Sequence, residues 1–241
     1  MNWFKREKPI VVNCYTWDKD VYKYAPIQPS KNFYPNWYKN FMQQKKHNKE
    51  DTIETDISHC VGFKNLYKRG FVIPMWSELL LSVGEINNPS VDWQYADLKS
   101  NLSFHEFKQV GNWLSENDIQ HCKLIPPWKI ECKQDVDFFW SEMTWNTSID
   151  TMKVLPAIVD YKHQNTTNIN LLIRRTHERQ NIKIDFNQPM AHIVPLSERK
   201  LVIKNHLISK QKWEEELSDT PKFFFQAEYH KTKKLCPIHN K

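Results

Sequence analysis

The sequence predicts a mainly β protein, a sandwich or distorted barrel with helical additions at its N- and C-terminal ends, and therefore α+β overall. Three observations predict it. Between Lys123 and Leu196 short apolar stretches recur at close spacing, and they alternate cleanly in Ile169, Leu171, Ile173 and again in Ile182, Ile184, Phe186. That period of two belongs to a strand with one buried face. Turn residues punctuate the stretches at Pro126-Pro127, Asn146-Thr147-Ser148, Asn165-Thr166-Thr167 and Asn187-Gln188-Pro189. Short strands so regularly punctuated suggest a sandwich or small barrel rather than a parallel α/β sheet, and the longer helical stretches fall at the flanks.

Taken in order, Ile10 to Tyr15 reads as a short strand, after which Pro26, Pro29 and Pro35 break regular structure. Asn36 to Lys49 reads as a helix, with Trp37 and Phe41, Tyr38 and Met42 paired four apart. A second helix follows Ser58 as N-cap, carries Val61, Phe63, Leu66 and Tyr67, and closes at Gly70 in a left-handed cap. Phe71 to Ile73 and Glu78 to Val83 give two strands, or one interrupted by Pro74; Asn87-Asn88-Pro89 is a turn, and a further strand and turn fall within Trp93 to Asn101. Ser103 with Glu106 forms a capping box for a short helix ending near Gly111. Strands are then expected at Leu124 to Cys132, Phe138 to Met143, Val154 to Tyr161, Asn168 to Arg174, Asn181 to Phe186 and Met190 to Pro195. After Pro195 the chain is expected to turn helical, over Lys210 to Leu217 and again after the Thr220-Pro221 cap. The expected organisation is 1–70 as an aromatic, helical segment packed on the core, 71–203 as the β-rich core and 204–241 as a helical end, together one unit.

Composition narrows the chemistry. Of 241 residues only 4 are Gly, which excludes the Gly-rich phosphate loops. The formal charge is +6, but the lysines are scattered and form no stripe of the kind nucleic-acid binders show, so no nucleic-acid partner is expected. No apolar run reaches the length of a membrane span, and the chain does not open with a charged-then-apolar leader, so the expectation is a chain neither membrane-bound nor secreted. The five cysteines are widely spaced and odd in number, as in a reducing compartment. Cys236 and His239 have the gap of a zinc half-site, which His59-Cys60 or His121-Cys122 would have to complete; with a single half-site visible, no metal or other cofactor is expected.

No complete catalytic set is visible: there is no Gly-x-Ser-x-Gly elbow, and Asp135 and Asp137 read as a strand tip. Trp76, Trp128, Trp140 and Trp145 lie in or beside the strands, where indoles fill cores or stack on ligands. His192 falls in an apolar run and by alternation faces away from Ala191 and Ile193, as a surface or hydrogen-bonded strand histidine.

Four fragments, FYPNWYK at Phe33–Lys39, VIPMWS at Val72–Ser77, KLIPPW at Lys123–Trp128 and QPMAHIVPL at Gln188–Leu196, resemble a family of proteins from tailed, cyanophage-like phages of marine bacteria. The resemblance implies a phage origin and carries no activity with it. A second resemblance covers residues 154–196, which are similar to the closing strands of the dUTPase and dCTP-deaminase barrel. It would set Asp160 where those enzymes orient the attacking water and Tyr161 beside the base. The chain lacks their Gly-Arg-Ser-Ser and Ala-Gly-x-Asp segments, so the phosphate-binding backbone donors are missing and the likeness speaks to strand arrangement.

Two functional readings remain from the sequence. The first is a non-enzymatic phage protein, a virion or assembly component in the particle or the host cytoplasm, that meets other phage or host proteins or copies of itself through its aromatic segments. The second is a small-ligand- or nucleotide-binding protein or enzyme with a pocket lined by Trp128, Trp140, Asp160, Tyr161 and His192.

Overall fold

A computed structural model describes residues 7–47, 56–95, 101–104, 118–143, 145–146, 152–164 and 168–219. Among these the chain is mostly strand, with few helices, several open sheets and no closed barrel, an α+β protein.

Strand β1 (Ile10–Thr16) has the burial alternation its sequence calls for, with Ile10, Val12 and Cys14 inward. Just beyond it stands Asp18, whose carboxylate accepts from the N–H groups of Asp20 and Val21 and starts a six-residue helix, α1 (Lys19–Tyr24). After β2 (Gln28–Pro29) come the helices α2 (Asn36–His47) and α3 (Val61–Lys68). The cap of α3 is the Cys60 thiol, which accepts from the Phe63 N–H, while Ser58, the expected cap, sits in the preceding 3-10 turn. Gly70 lies just beyond α3 at φ +90°, and a Cβ there would stand 2.3 Å from the Ile193 carbonyl oxygen; both backbone shape and space demand glycine.

The remaining strands are β3 (Phe71–Pro74), β4 (Leu79–Val83), β5 (Val91–Tyr95), β6 (Asn101–Phe104), β7 (Ile119–Ile125), β8 (Lys129–Cys132), β9 (Phe138–Ser141), β10 (Met152–Val154), β11 (Ala157–Val159), β12 (Ile169–Arg174), β13 (Gln180–Ile184), β14 (Pro189–Pro195) and β15 (Leu201–Leu207), before the helix α4 (Lys210–Asp219). They build four sheets, ordered β15-β1-β8, β10-β12-β7-β6, β11-β9-β14-β3-β2 and β13-β4-β5. All four supply side chains to one continuous core, among them Val12, Ile130, Phe71, Trp140, Ile193, Leu81, Ile184, Leu124 and Leu171.

The five-stranded sheet has a second buried layer. Its inner face, with Phe138, Trp140, Ala191 and Ile193, joins the main core. On the opposite face Val72 packs with Tyr38 of α2, Phe63 and Tyr67 of α3, and Met143. Strand β14 is therefore buried on both faces from Met190 to Ile193, and its run of apolar residues reads as it does for that reason.

Several expected boundaries are corrected. The stretch from Leu124 to Cys132 is two strands in different sheets, divided at Pro126-Pro127. Val154 to Tyr161 is likewise divided at Leu155-Pro156, with β10 and β11 in different sheets, because Pro removes a ladder donor. Ser103 and Phe104 pair with Lys123 and Cys122 as strand, which rules out Ser103 as a helix cap; the rest of that expected helix, 105–111, lies outside the described residues. The chain does not turn helical after Pro195: residues 201–207 form β15 in parallel register with β1, so the expected change at 203/204 falls inside a strand. The helix expected after Thr220 lies outside the described residues.

Candidate functional site

The structure places the five predicted pocket residues in the core. Trp140 is buried on β9, and its Nε1–H donates to the Tyr161 hydroxyl at 2.6 Å. The Tyr161 ring is fully buried, edge-on to Phe138 at 5.1 Å between centroids. Asp160 is buried as a turn-former: its Oδ1 accepts from the Lys162 N–H at 2.9 Å and its carbonyl from His163 and Gln164. Trp128 packs in the main core, and its buried Nε1–H meets no partner among the described residues.

His192 is fully buried on the outer face of β14, opposite Val72 and Ser141, where the helical layer covers it. Its Nε2 lies 3.3 Å from the Arg69 carbonyl, and because a carbonyl only accepts, Nε2 carries the hydrogen. Burial holds its pKa down at about 4, so the ring is neutral at pH 7. The structure thus brings Trp140 and Tyr161 into direct contact, and neither of the two concavities described below is lined by any of the five.

The metal candidates Cys236 and His239 lie outside the described residues. Among the described residues no group of three or more His, Cys, Asp or Glu side chains could hold an ion. His121 Nε2 lies 3.3 Å from Asn170 Oδ1, and Cys122 is a buried core thiol pushed up to about 12 by burial. Asp135 is exposed and pairs with Lys162.

The aromatic residues of the N-terminal segment do converge. Tyr34 stacks on Tyr38 and on Tyr67, at 5.0 Å and 4.4 Å between centroids. The Tyr67 hydroxyl donates to Asn146 Oδ1 at 2.6 Å, and Asn146 Nδ2 donates to the Phe33 carbonyl at 2.7 Å. Asn146 thereby ties Trp145 to the helical layer. Trp37 Nε1–H donates to the Trp145 carbonyl at 3.1 Å, and the two indoles stand 6.0 Å apart at 50°, both against Phe63. Trp37 is 42% exposed and Trp145 47%, large fractions for side chains this apolar. Beside them lies a concavity of about 380 Å³ that Pro35, Pro189, Asn32 and Lys39 help to line. The sequence pointed at Trp145 only as one of four indoles; Trp76, Trp128 and Trp140 fill the core, and Trp145 alone of these four is exposed.

A second apolar surface lies on the outer face of the five-stranded sheet. Ile158, Phe139 and Val194 are directly paired across β11, β9 and β14. Ile158 is 64% exposed and Phe139 39%, and β11 is the outermost strand of its sheet. Among the described residues no helix is long and apolar enough to cross a membrane. No protein-family model matches the chain, and no curated protein matches it.

Proposed function

We propose that this chain is a non-enzymatic contact protein, a component of a tailed-phage particle or of its assembly, that binds a protein partner through the Trp37–Trp145 surface. The observation that carries the reading is that two indoles, each more than two-fifths exposed, stand together against the Phe63 ring, with the Trp37 Nε1–H held by the Trp145 carbonyl. Tryptophans dominate the energetic centres of protein interfaces, and a side chain held rigid before binding loses little entropy on binding. The open row at Ile158 and Phe139 supports the same reading, since contiguous exposed apolar surface marks interaction sites. The phage part of the reading rests on the likeness of the four fragments described above.

Two measurements test it. Mass spectrometry of purified particles from an infection that expresses the chain is expected to find it at a fixed copy number, or on assembly intermediates. Trp37→Ser with Trp145→Ser is expected to cut incorporation about tenfold or more while leaving the melting temperature of the purified chain within a few degrees. Undiminished incorporation of the double variant would end the reading.

A further inference from the structure

A cleft of about 480 Å³ lies between the C-terminal end of α3, the 3-10 turn at Ser30–Phe33 and the link from β14 to β15. Its rim is strongly cationic: Lys31, Lys68, Arg69, Arg199 and Lys200 face it against the single carboxylate of Glu198. Beside β4 and β13, by contrast, opposite charges pair, Arg179 with Asp92 and Lys183 with Glu78 and Asp185. Here Glu198 engages Arg69 at 2.9 Å from an 86% exposed position, so an entering anion can displace it at little cost.

The floor of the cleft differs in kind. Ile27, Leu201 and Ile203 make it apolar, and Asn205 supplies a polar group. Asn205 Nδ2 donates to the Ile27 carbonyl at 2.9 Å, which fixes the amide at the floor.

The rim is built to stay in place. The Arg69 carbonyl lies 3.2 Å from the Ser30 hydroxyl and 3.3 Å from His192 Nε2, the Ser30 N–H donates to the Gly70 carbonyl, and Gly70 presses on the Ile193 backbone. The turn carrying Lys68 and Arg69 is thus bolted to β14.

We propose that this cleft binds an organic phosphate, with the phosphoryl groups on the Lys31–Arg69–Arg199–Lys200 rim and the carbon framework on the apolar floor. A nucleoside polyphosphate has both parts, and the volume suits a ligand of that size. The site is separate from the Trp37–Trp145 surface and stands or falls independently of it.

The test is isothermal titration of the full chain with adenosine triphosphate, uridine triphosphate, inorganic pyrophosphate, adenosine and a polyglutamate peptide, at about 50 mM and 300 mM salt. At least one nucleoside triphosphate is expected to bind about tenfold or more tightly than pyrophosphate, adenosine to give no heat, and affinity to fall at the higher salt. Lys31→Ala with Arg199→Ala is expected to weaken triphosphate binding about tenfold or more. The proposal is overturned if neither triphosphate gives heat, if pyrophosphate or polyglutamate binds as tightly as the triphosphates, or if the Lys31/Arg199 variant binds as the parent does.

Discussion

Single residues carry much of the logic of this molecule, and His192 is the clearest case. It is buried and neutral, with Nε2–H on the Arg69 carbonyl, and its pKa is held near 4 against an ordinary 6.5. Between those values the unfolded chain binds the extra proton, so stability is complete above pH 6.5 and is lost as the pH falls towards 4. The loss amounts to about 3 kcal/mol. Urea titrations of the parent and of His192→Gln from pH 7 to pH 4 check it: the variant is expected to lack that part of the decline, and equal declines would refute the assignment. A second test concerns the Trp140–Tyr161 hydrogen bond. Tyr161→Phe leaves a buried indole N–H without its acceptor and is expected to cost about 1–3 kcal/mol by denaturant unfolding. Alternation in the sequence placed His192 on the correct face, away from Ala191 and Ile193. What it could not carry was that helices α2 and α3 lie over that face, because a period of two tells which side a residue takes and nothing about what covers it. For the same reason Trp128, Trp140 and Tyr161 read equally well as pocket and as core.

Among the elements, those whose signals are local were legible. Helices α2 and α4, the Gly70 turn and the strands β9, β12, β13 and β14 fall where spacing and turn residues put them. Elements that depend on distant partners were not. Strand β15 has no half-buried alternation to betray it, because most of its residues are only partly covered; its pairing with β1 decides its conformation. Helix α1 is too short for a period to register, and its sole local mark is Asp18. That cap gives an element-scale prediction. Asp18→Ala removes the acceptor of two backbone N–H groups and is expected to lower unfolding free energy by about 1 kcal/mol, with Asp18→Asn largely neutral. Thermal melts of the two variants compare them directly, and equal losses would exclude capping as the cause.

The molecule as a whole is organised around one core fed by four sheets, and its thiols report on that unity. Cys14, Cys122 and Cys132 are buried in this core, and burial raises each of their pKa values, whereas Cys60 is exposed at the start of α3. A thiol reagent is expected to label Cys60 at once and the three core cysteines together, at the rate of global opening. Peptide mapping over a time course checks this; separate rates for the three would mean that the sheets open independently.

The register of β1 against β15 sets an order of events during synthesis. The neighbour of Ile10, Leu201, follows it only after roughly two hundred more residues, a delay of roughly 10–40 s at about 5–20 residues per second. In that interval the first strand can dock on β8, its antiparallel neighbour, while its other edge stays open. A nascent chain halted before residue 201 would present that edge, with Val11 and Tyr15, to any other unfinished copy nearby, so the arrival of β15 is what covers the free edge of β1.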